Sequence, residues 1–130
     1  MGRKPTLKSA RERAFKAQSD FIRQKYAVDG FVNCVSCGKN IPWREADAGH
    51  FVPRSRSSAL AFMEENVHPE CVSCNRFDDG HLIGYTLYMQ EMYGKEFVED
   101  LKNNREIVRR RIPDYLEIES YYTDKLADIE

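Results

Sequence analysis

Four cysteines, placed as Cys34-Val-Ser-Cys37 and Cys71-Val-Ser-Cys74, bracket a segment that holds His50 and Asn66, and Asn75 directly follows the last of them. Thiolates at C-x2-C and C-x2-C suit tetrahedral zinc and fill all four positions, leaving none for a substrate. The metal so held is structural. The 33 residues between the pairs exceed the interval of the common small zinc modules, as expected if a whole hairpin is held between them. Two disulfides or a redox dithiol are the other uses of such pairs. A thioredoxin-like dithiol needs a surrounding βαβ pattern that is missing here.

The residues between and beside the cysteines have the types that phosphodiester hydrolysis requires. That reaction needs an activated water, a cation to stabilise charge on phosphorus and the leaving oxygen, and a group that orients the base. An imidazole with an ordinary pKa near 6.5 is neutral and ready at pH 7, which makes His50 the natural base. The Asn66 amide, on the facing strand, could accept from the ring N–H and hold the other nitrogen toward water. Mg²⁺ or Mn²⁺ takes hard oxygen ligands and keeps several waters. Asn75 and Asp79, four apart, would share a helical face, and Asp47 could reach the ion from the strand side. Each has a plainer use: His50 as a hydrogen-bonded strand residue, Asn66 as a turn residue, Asn75 as a helix cap, Asp78-Asp79-Gly80 as a turn. His68 and His81 rank last and read equally well as surface residues.

Several elements must position these groups. Leu7, Ala10, Ala14, Ala17 and Phe21 recur at threes and fours, which predicts a helix over about Thr6–Ala27, capped by Thr6 and stopped at Asp29-Gly30. Lys16 and Arg23 share another face of it with Arg13 nearby, a basic surface that could lie along phosphates or simply be solvated. Phe31-Val-Asn33 reads as a short strand, with Gly38 permitting the tight turn of a zinc knuckle. Ala48–Val52 reads as a strand, Pro53–Ser58 as a basic loop carrying Arg54 and Arg56, and Asn66–His68 as a second strand that Pro69 ends. A helical pattern begins at Val72. Leu82–Tyr93 reads as a helix, with Tyr85, Tyr88, Met89 and Met92 as core rather than a base-stacking platform. The pattern restarts at Phe97, Val98 and Leu101, and a short basic helix is expected over Arg105–Arg111. A final apolar seam of Tyr115, Ile118, Tyr122, Leu126 and Ile129 must cover the first helix or another subunit.

Composition sets the class. A chain of 130 residues, 42% hydrophobic and 32% charged, is globular rather than disordered. It holds no apolar run long enough to span a membrane and no signal-peptide core, so a soluble cytosolic protein is expected. Met1-Gly2-Arg-Lys-Pro-Thr6 fits the loose myristoylation pattern by chance, with no second anchor. The net charge of −1 hides an asymmetry: eight Lys/Arg against two acids over residues 1–25, but two against nine over residues 61–100. A basic end beside an acidic middle suggests a polyanion at one face.

The order Cys-x2-Cys, Gly49-His50-Phe-Val-Pro53-Arg54-Ser, Asn66-Val-His68-Pro-Glu-Cys71-Val-Ser-Cys74-Asn75 resembles the HNH (ββα-metal) nuclease superfamily. More narrowly it is similar to the phage NinG (Rap) recombination endonucleases, with Gln18-Ser-Asp-Phe21-Ile22-Arg23 and Gly80–Tyr85 extending the likeness over roughly residues 15–125. The resemblance implies a Mg²⁺-dependent endonuclease selective for branched DNA such as Holliday junctions and D-loops, in a phage-encoded protein of the bacterial cytoplasm. One departure is Gly49, where many HNH nucleases carry a metal ligand. Another is Asn75 in place of a histidine, whose amide carbonyl still ligates Mg²⁺.

The expected fold is α+β: a zinc-stapled ββα-metal core over residues 31–93, between an N-terminal basic helix (1–30) and a C-terminal helical extension (94–130), all one compact domain. The zinc should contribute strongly to folding so small a core. In the expected mechanism His50, oriented by Asn66, takes the proton of the attacking water, with Mg²⁺ on Asn75 and Asp79 or Asp47. Arg54, Arg56, Arg13, Lys16 and Arg23 would position branched or duplex DNA by its backbone. A symmetric junction needs two nicks, so a homodimer through the C-terminal seam is expected. A non-catalytic zinc module that binds nucleic acid and a protein-interaction adaptor are the rival readings.

Overall fold

The computed structural model describes residues 3–77 and 82–130. The chain mixes helices with two two-stranded antiparallel sheets. Helix α1 (Leu7–Lys25) starts where Thr6 accepts from the Ser9 amide at 3.0 Å and Ser9 returns a bond to the Thr6 amide, a reciprocal cap of the first turn. Its stripe of Ala10, Ala14, Phe21 and Ile22 is buried. Asp29 and Gly30, both at positive φ, turn the chain into β1 (Phe31–Asn33), which pairs with β2 (Asn40–Pro42) in the register Val32↔Ile41. Strand β2 has no counterpart in the sequence expectations.

The second sheet carries the candidate residues Asp47 and His50. Strand β3 (Ala46–His50) faces β4 (Val67–Cys71), with Asp47 opposite Glu70, Gly49 opposite His68 and His50 opposite Val67. Two boundaries differ from the sequence reading. The first strand begins two residues earlier and ends at His50. The second runs through Pro69, which sits opposite Ala48 in a sheet of only two strands, where one edge of every strand asks for no donor. After β4 a π-helical turn spans Ser73–Phe77.

Helix α2 (Leu82–Tyr93) ends where predicted. It lies so close to the turn between β1 and β2 that a Cβ at Gly84 would come within 1.9 Å of the Ser36 carbonyl oxygen. Tyr85 and Met89 are buried with Phe51, Val52, Leu60, Val98 and Leu101, while Met92 is exposed. Helix α3 (Lys95–Asn103) completes this cluster. Residues 104–111 are not the expected basic helix but an irregular segment, held by Ser58: the Val108 amide donates to its hydroxyl at 2.7 Å and Arg110 to its carbonyl at 2.9 Å. Helix α4 (Ile112–Ile129) packs along α1. Tyr122 meets Phe21, Ile22 and Val67, and Tyr115 meets Ala10 and Ala14. Tyr115, Ile118, Tyr122 and Leu126 of the apolar seam are thus packed against α1 and its neighbours, while Ile129 is exposed. Among the described residues no helix is long and apolar enough to cross a membrane.

Candidate metal centre and polar cleft

The knuckle between β1 and β2 folds tightly because Gly38 adopts φ +82°, which a glycine takes without steric cost. Its amide then donates to the Cys34 carbonyl at 2.8 Å, and the Cys34 amide to the Lys39 carbonyl at 2.8 Å. The other pair comes from the end of β4 and the turn beyond it. All four sulfurs lie within 4.8 Å of one another, and Cys37 and Cys71 are 3.8 Å apart. A tetrahedron with metal–sulfur bonds of about 2.3 Å has edges of about 3.8 Å, so the cluster fits a structural zinc. Burial opposes ionisation of Cys34, yet backbone amides of Cys71, Cys37 and Ser36 outweigh it and hold that thiol below its ordinary pKa.

Beside this cluster opens a cleft of about 610 Å³ whose lining includes His50, Asp47, Glu70, Asn75, Arg54 and Arg56. The sheet and the following turn thus bring His50, Asp47 and Asn75 to one cavity. The His50 Nε2 lies 2.8 Å from the Ala61 carbonyl oxygen. A carbonyl only accepts, so Nε2 carries the proton and Nδ1 is the ring's basic nitrogen. Burial lowers the His50 pKa to about 4; the Ala61 bond opposes this and the Arg54 charge adds to it. The ring is neutral at pH 7.

Asn66 does not orient the ring, contrary to expectation. It is fully buried and spent on the backbone: its Oδ1 accepts from the Val52 amide at 2.9 Å, and its Nδ2 donates to the carbonyls of Val52 and Leu60 at 3.1 and 3.2 Å. It pins the two ends of the loop that delivers Ala61. The orienting partner is the Ala61 carbonyl, steadied by buried Gln18 of α1, whose amide donates to the same oxygen at 3.0 Å. The sequence hides Gln18 because a glutamine on a helix ordinarily faces water. Only its place in the apolar stripe (four after Ala14, three before Phe21) signalled otherwise.

Asp47 is engaged by Arg76, through two bonds of 2.8 Å, and by the Asn75 amide at 2.9 Å. Glu70, which the sequence analysis did not single out, is 2% exposed. Its Oε2 accepts from the Ser36 hydroxyl at 2.6 Å. Burial pushes its carboxyl up to about 7, with the Ser36 bond opposing and the Asp47 charge adding. Asp79 and His81 lie outside the described residues. His68 belongs to the core, not to the surface: it is fully buried among Tyr26, Tyr85, Tyr88 and Tyr93. Tyr85 donates to the Gly49 carbonyl at 2.7 Å, so its oxygen accepts from His68 Nδ1 at 3.1 Å, and His68 Nε2 faces the Tyr93 hydroxyl at 2.9 Å.

The basic residues divide. Arg13 is paired with Glu119 at 2.8 Å and Lys16 with Asp20 at 2.7 Å. Arg23 is turned inward, bonded to Asp20 and the Ala46 carbonyl and stacked on Trp43. Arg13 and Arg23 thus tie α1 to neighbouring elements, while the Lys16 pair lies within α1 itself. Arg54 and Arg56 are exposed at the cleft, with no acid within salt-bridge distance among the described residues, and the Arg54 guanidinium lies 4.2 Å from the Phe15 ring centre.

Comparison with known proteins adds a family. The model of the family described as Bacteriophage Lambda NinG protein matches residues 2–130. The Protein ninG of Escherichia phage lambda is 32% identical over 127 residues, covering 92% of this chain and 62% of the relative. Those of Escherichia phage 933W and Salmonella phage P22 are 31% and 30% identical, with 92% of this chain and 63% and 62% of the relative covered. The chain thus spans less than two thirds of the length of the curated relatives it matches. No solved structure matches it.

Proposed function

The chain belongs to the bacteriophage NinG family, and from that premise we propose that it is a metal-dependent DNA endonuclease of the HNH (ββα-metal) kind, acting on branched recombination intermediates such as Holliday junctions and D-loops. The observation that carries this reading is His50: a neutral ring whose Nε2–H is committed to the Ala61 carbonyl, lining a cleft with Asp47 and Asn75. Strands β3 and β4 and the helical turn after them supply the ββα part, with the cysteine cluster as its staple.

In this mechanism Nδ1 of His50 takes a proton from the water that attacks phosphorus in line. The P–O3′ bond breaks and O3′ takes a proton from solvent water, leaving 5′-phosphate and 3′-hydroxyl ends. Asp47 and Asn75 offer the hard oxygens that suit Mg²⁺ or Mn²⁺, which would supply Lewis-acid charge for the phosphorane and the leaving oxygen. Ligation by Asp47 requires Arg76 to release it, and the incoming phosphate is the natural anion to draw that guanidinium away. Arg54 and Arg56 hold the backbone without reading sequence. A symmetric junction needs two nicks, which two copies meeting away from the α1-facing seam of α4 would deliver.

The test is incubation of the zinc-loaded protein with labelled four-way junction, duplex and single-stranded DNA, with Mg²⁺, Mn²⁺ or EDTA. Cutting of branched DNA that needs the cation is expected, and His50→Ala should abolish it while leaving binding in place. Cutting that persists in EDTA, or in His50→Ala, overturns the mechanism. Binding with no cutting under any cation points to a non-catalytic zinc module.

A further inference from the structure

Of the two carboxylates that line the cleft, Asp47 and Glu70, the proposed chemistry has not used Glu70. It is 98% buried, and one of its two oxygens is accounted for by Ser36. Its Oε1 has no hydrogen-bond partner among the described residues, and Glu70 lines the same cleft as His50, Asp47 and Asn75. Residue 49 makes its position possible. A Cβ at Gly49 would fall 1.9 Å from Glu70 Oε1 and 2.8 Å from its carboxyl carbon, so the carboxylate occupies the space that a side chain at position 49 would need. Asp47 stands directly opposite Glu70 in the strand pair. Two carboxylates facing each other across antiparallel strands repel, and a buried one without a cation is costly. Asp47 is answered by Arg76 and Asn75, but Glu70 only by a hydroxyl.

We propose that Glu70 is a ligand of the catalytic divalent cation, reaching it across the sheet through the gap left by Gly49, with Asp47 as its neighbour. This rests on the endonuclease reading for its cation, and it assigns a strand-side oxygen that position 49 itself cannot provide. A buried carboxylate fixed by Ser36 and directed at a polar cavity is a preorganised hard donor. Gly49 serves by having no side chain.

The experiment measures Mn²⁺ binding to the zinc-loaded full chain by electron paramagnetic resonance of free Mn²⁺, with zinc content and circular dichroism confirming the fold of every variant. Glu70→Gln and Glu70→Ala are expected to weaken Mn²⁺ binding by about tenfold or more. Gly49→Ala, which leaves the carboxylate in the chain but drives it from its place, should weaken binding comparably. The double variant Gly49→Ala/Glu70→Ala should bind no more weakly than Glu70→Ala alone, since the two act through one group. Wild-type affinity in a folded Glu70→Gln, full additivity in the double variant, or no Mn²⁺ binding by the wild type overturns the assignment. Binding that depends on Glu70 in a protein that cuts no DNA upholds the ligand and defeats the nuclease reading instead.

Discussion

Replacing Asn66 by alanine separates a structural from a chemical role for this residue. The side chain is fully buried and makes three bonds to the backbone. Truncation strips Val52 of the partner of its amide and of a donor to its carbonyl. The Leu60 carbonyl keeps the Met63 amide at 3.2 Å, so it is not orphaned. Two buried backbone groups left unpaired cost about 1–3 kcal/mol each, and water entering the vacated space relieves some of that, giving about 2–5 kcal/mol. That is a large share of the ~5–15 kcal/mol that holds a typical domain. In urea, with a slope of about 1–3 kcal/mol per molar, the midpoint should fall by roughly 2 M. The assay is urea unfolding of the zinc-loaded protein by circular dichroism, with cleavage measured where the variant remains folded. Asn66→Asp keeps the shape and one acceptor but turns oxygen toward the Val52 and Leu60 carbonyls, so it should lose comparable stability. An unchanged midpoint with cleavage abolished would refute this reasoning and return Asn66 to the reacting centre.

Acid should destabilise the fold through two histidines. His50 and His68 have pKa values lowered from 6.5 to about 4, chiefly by burial; the neutral ring is favoured, so the stability it carries is complete above pH 6.5 and is lost as pH falls toward 4. For fully buried His68 that is about 3 kcal/mol, and unfolding midpoints followed from pH 7.5 to 4.5 should show most of it return in His68→Gln. Arg54→Ala/Arg56→Ala should weaken junction binding and reduce the salt slope of log K by about 1–2, whereas Arg13→Ala should leave that slope unchanged. Stripping the cysteine cluster with a strong chelator, or Cys71→Ser, should remove one zinc per chain and cost most of the folded signal, checked by metal analysis beside circular dichroism.

Spacing made the four-cysteine cluster readable, because two pairs of thiols, each spaced three residues apart, have few other uses. The end of helix α2 was readable for a similar local reason: its apolar spacing is dense and Gly94 stops it. Less was legible where a residue's meaning depends on what lies across from it. Pro69 looked like the end of a strand because proline has no amide to give, but a two-stranded sheet leaves one edge without that demand. Placing the strand end too early hid the register, and with it the face-to-face pair of Asp47 and Glu70. The three arginines at Arg109–Arg111 suggested a helix, yet Ser58, about fifty residues away, holds that stretch irregular. Gln18 and Ala61 were invisible for the same reason, since the acceptor that orients His50 is a peptide oxygen contributed by no particular side chain.

That peptide oxygen has a corollary. Because the ring is steered by the main chain, replacing the side chain at position 61 cannot delete the steering group; it can only move it. The carbonyl also receives Gln18, so its two lone pairs are both engaged and a stray solvent molecule has none to claim. Which ring nitrogen offers its lone pair is therefore set by the path of the backbone rather than by the side chain at position 61.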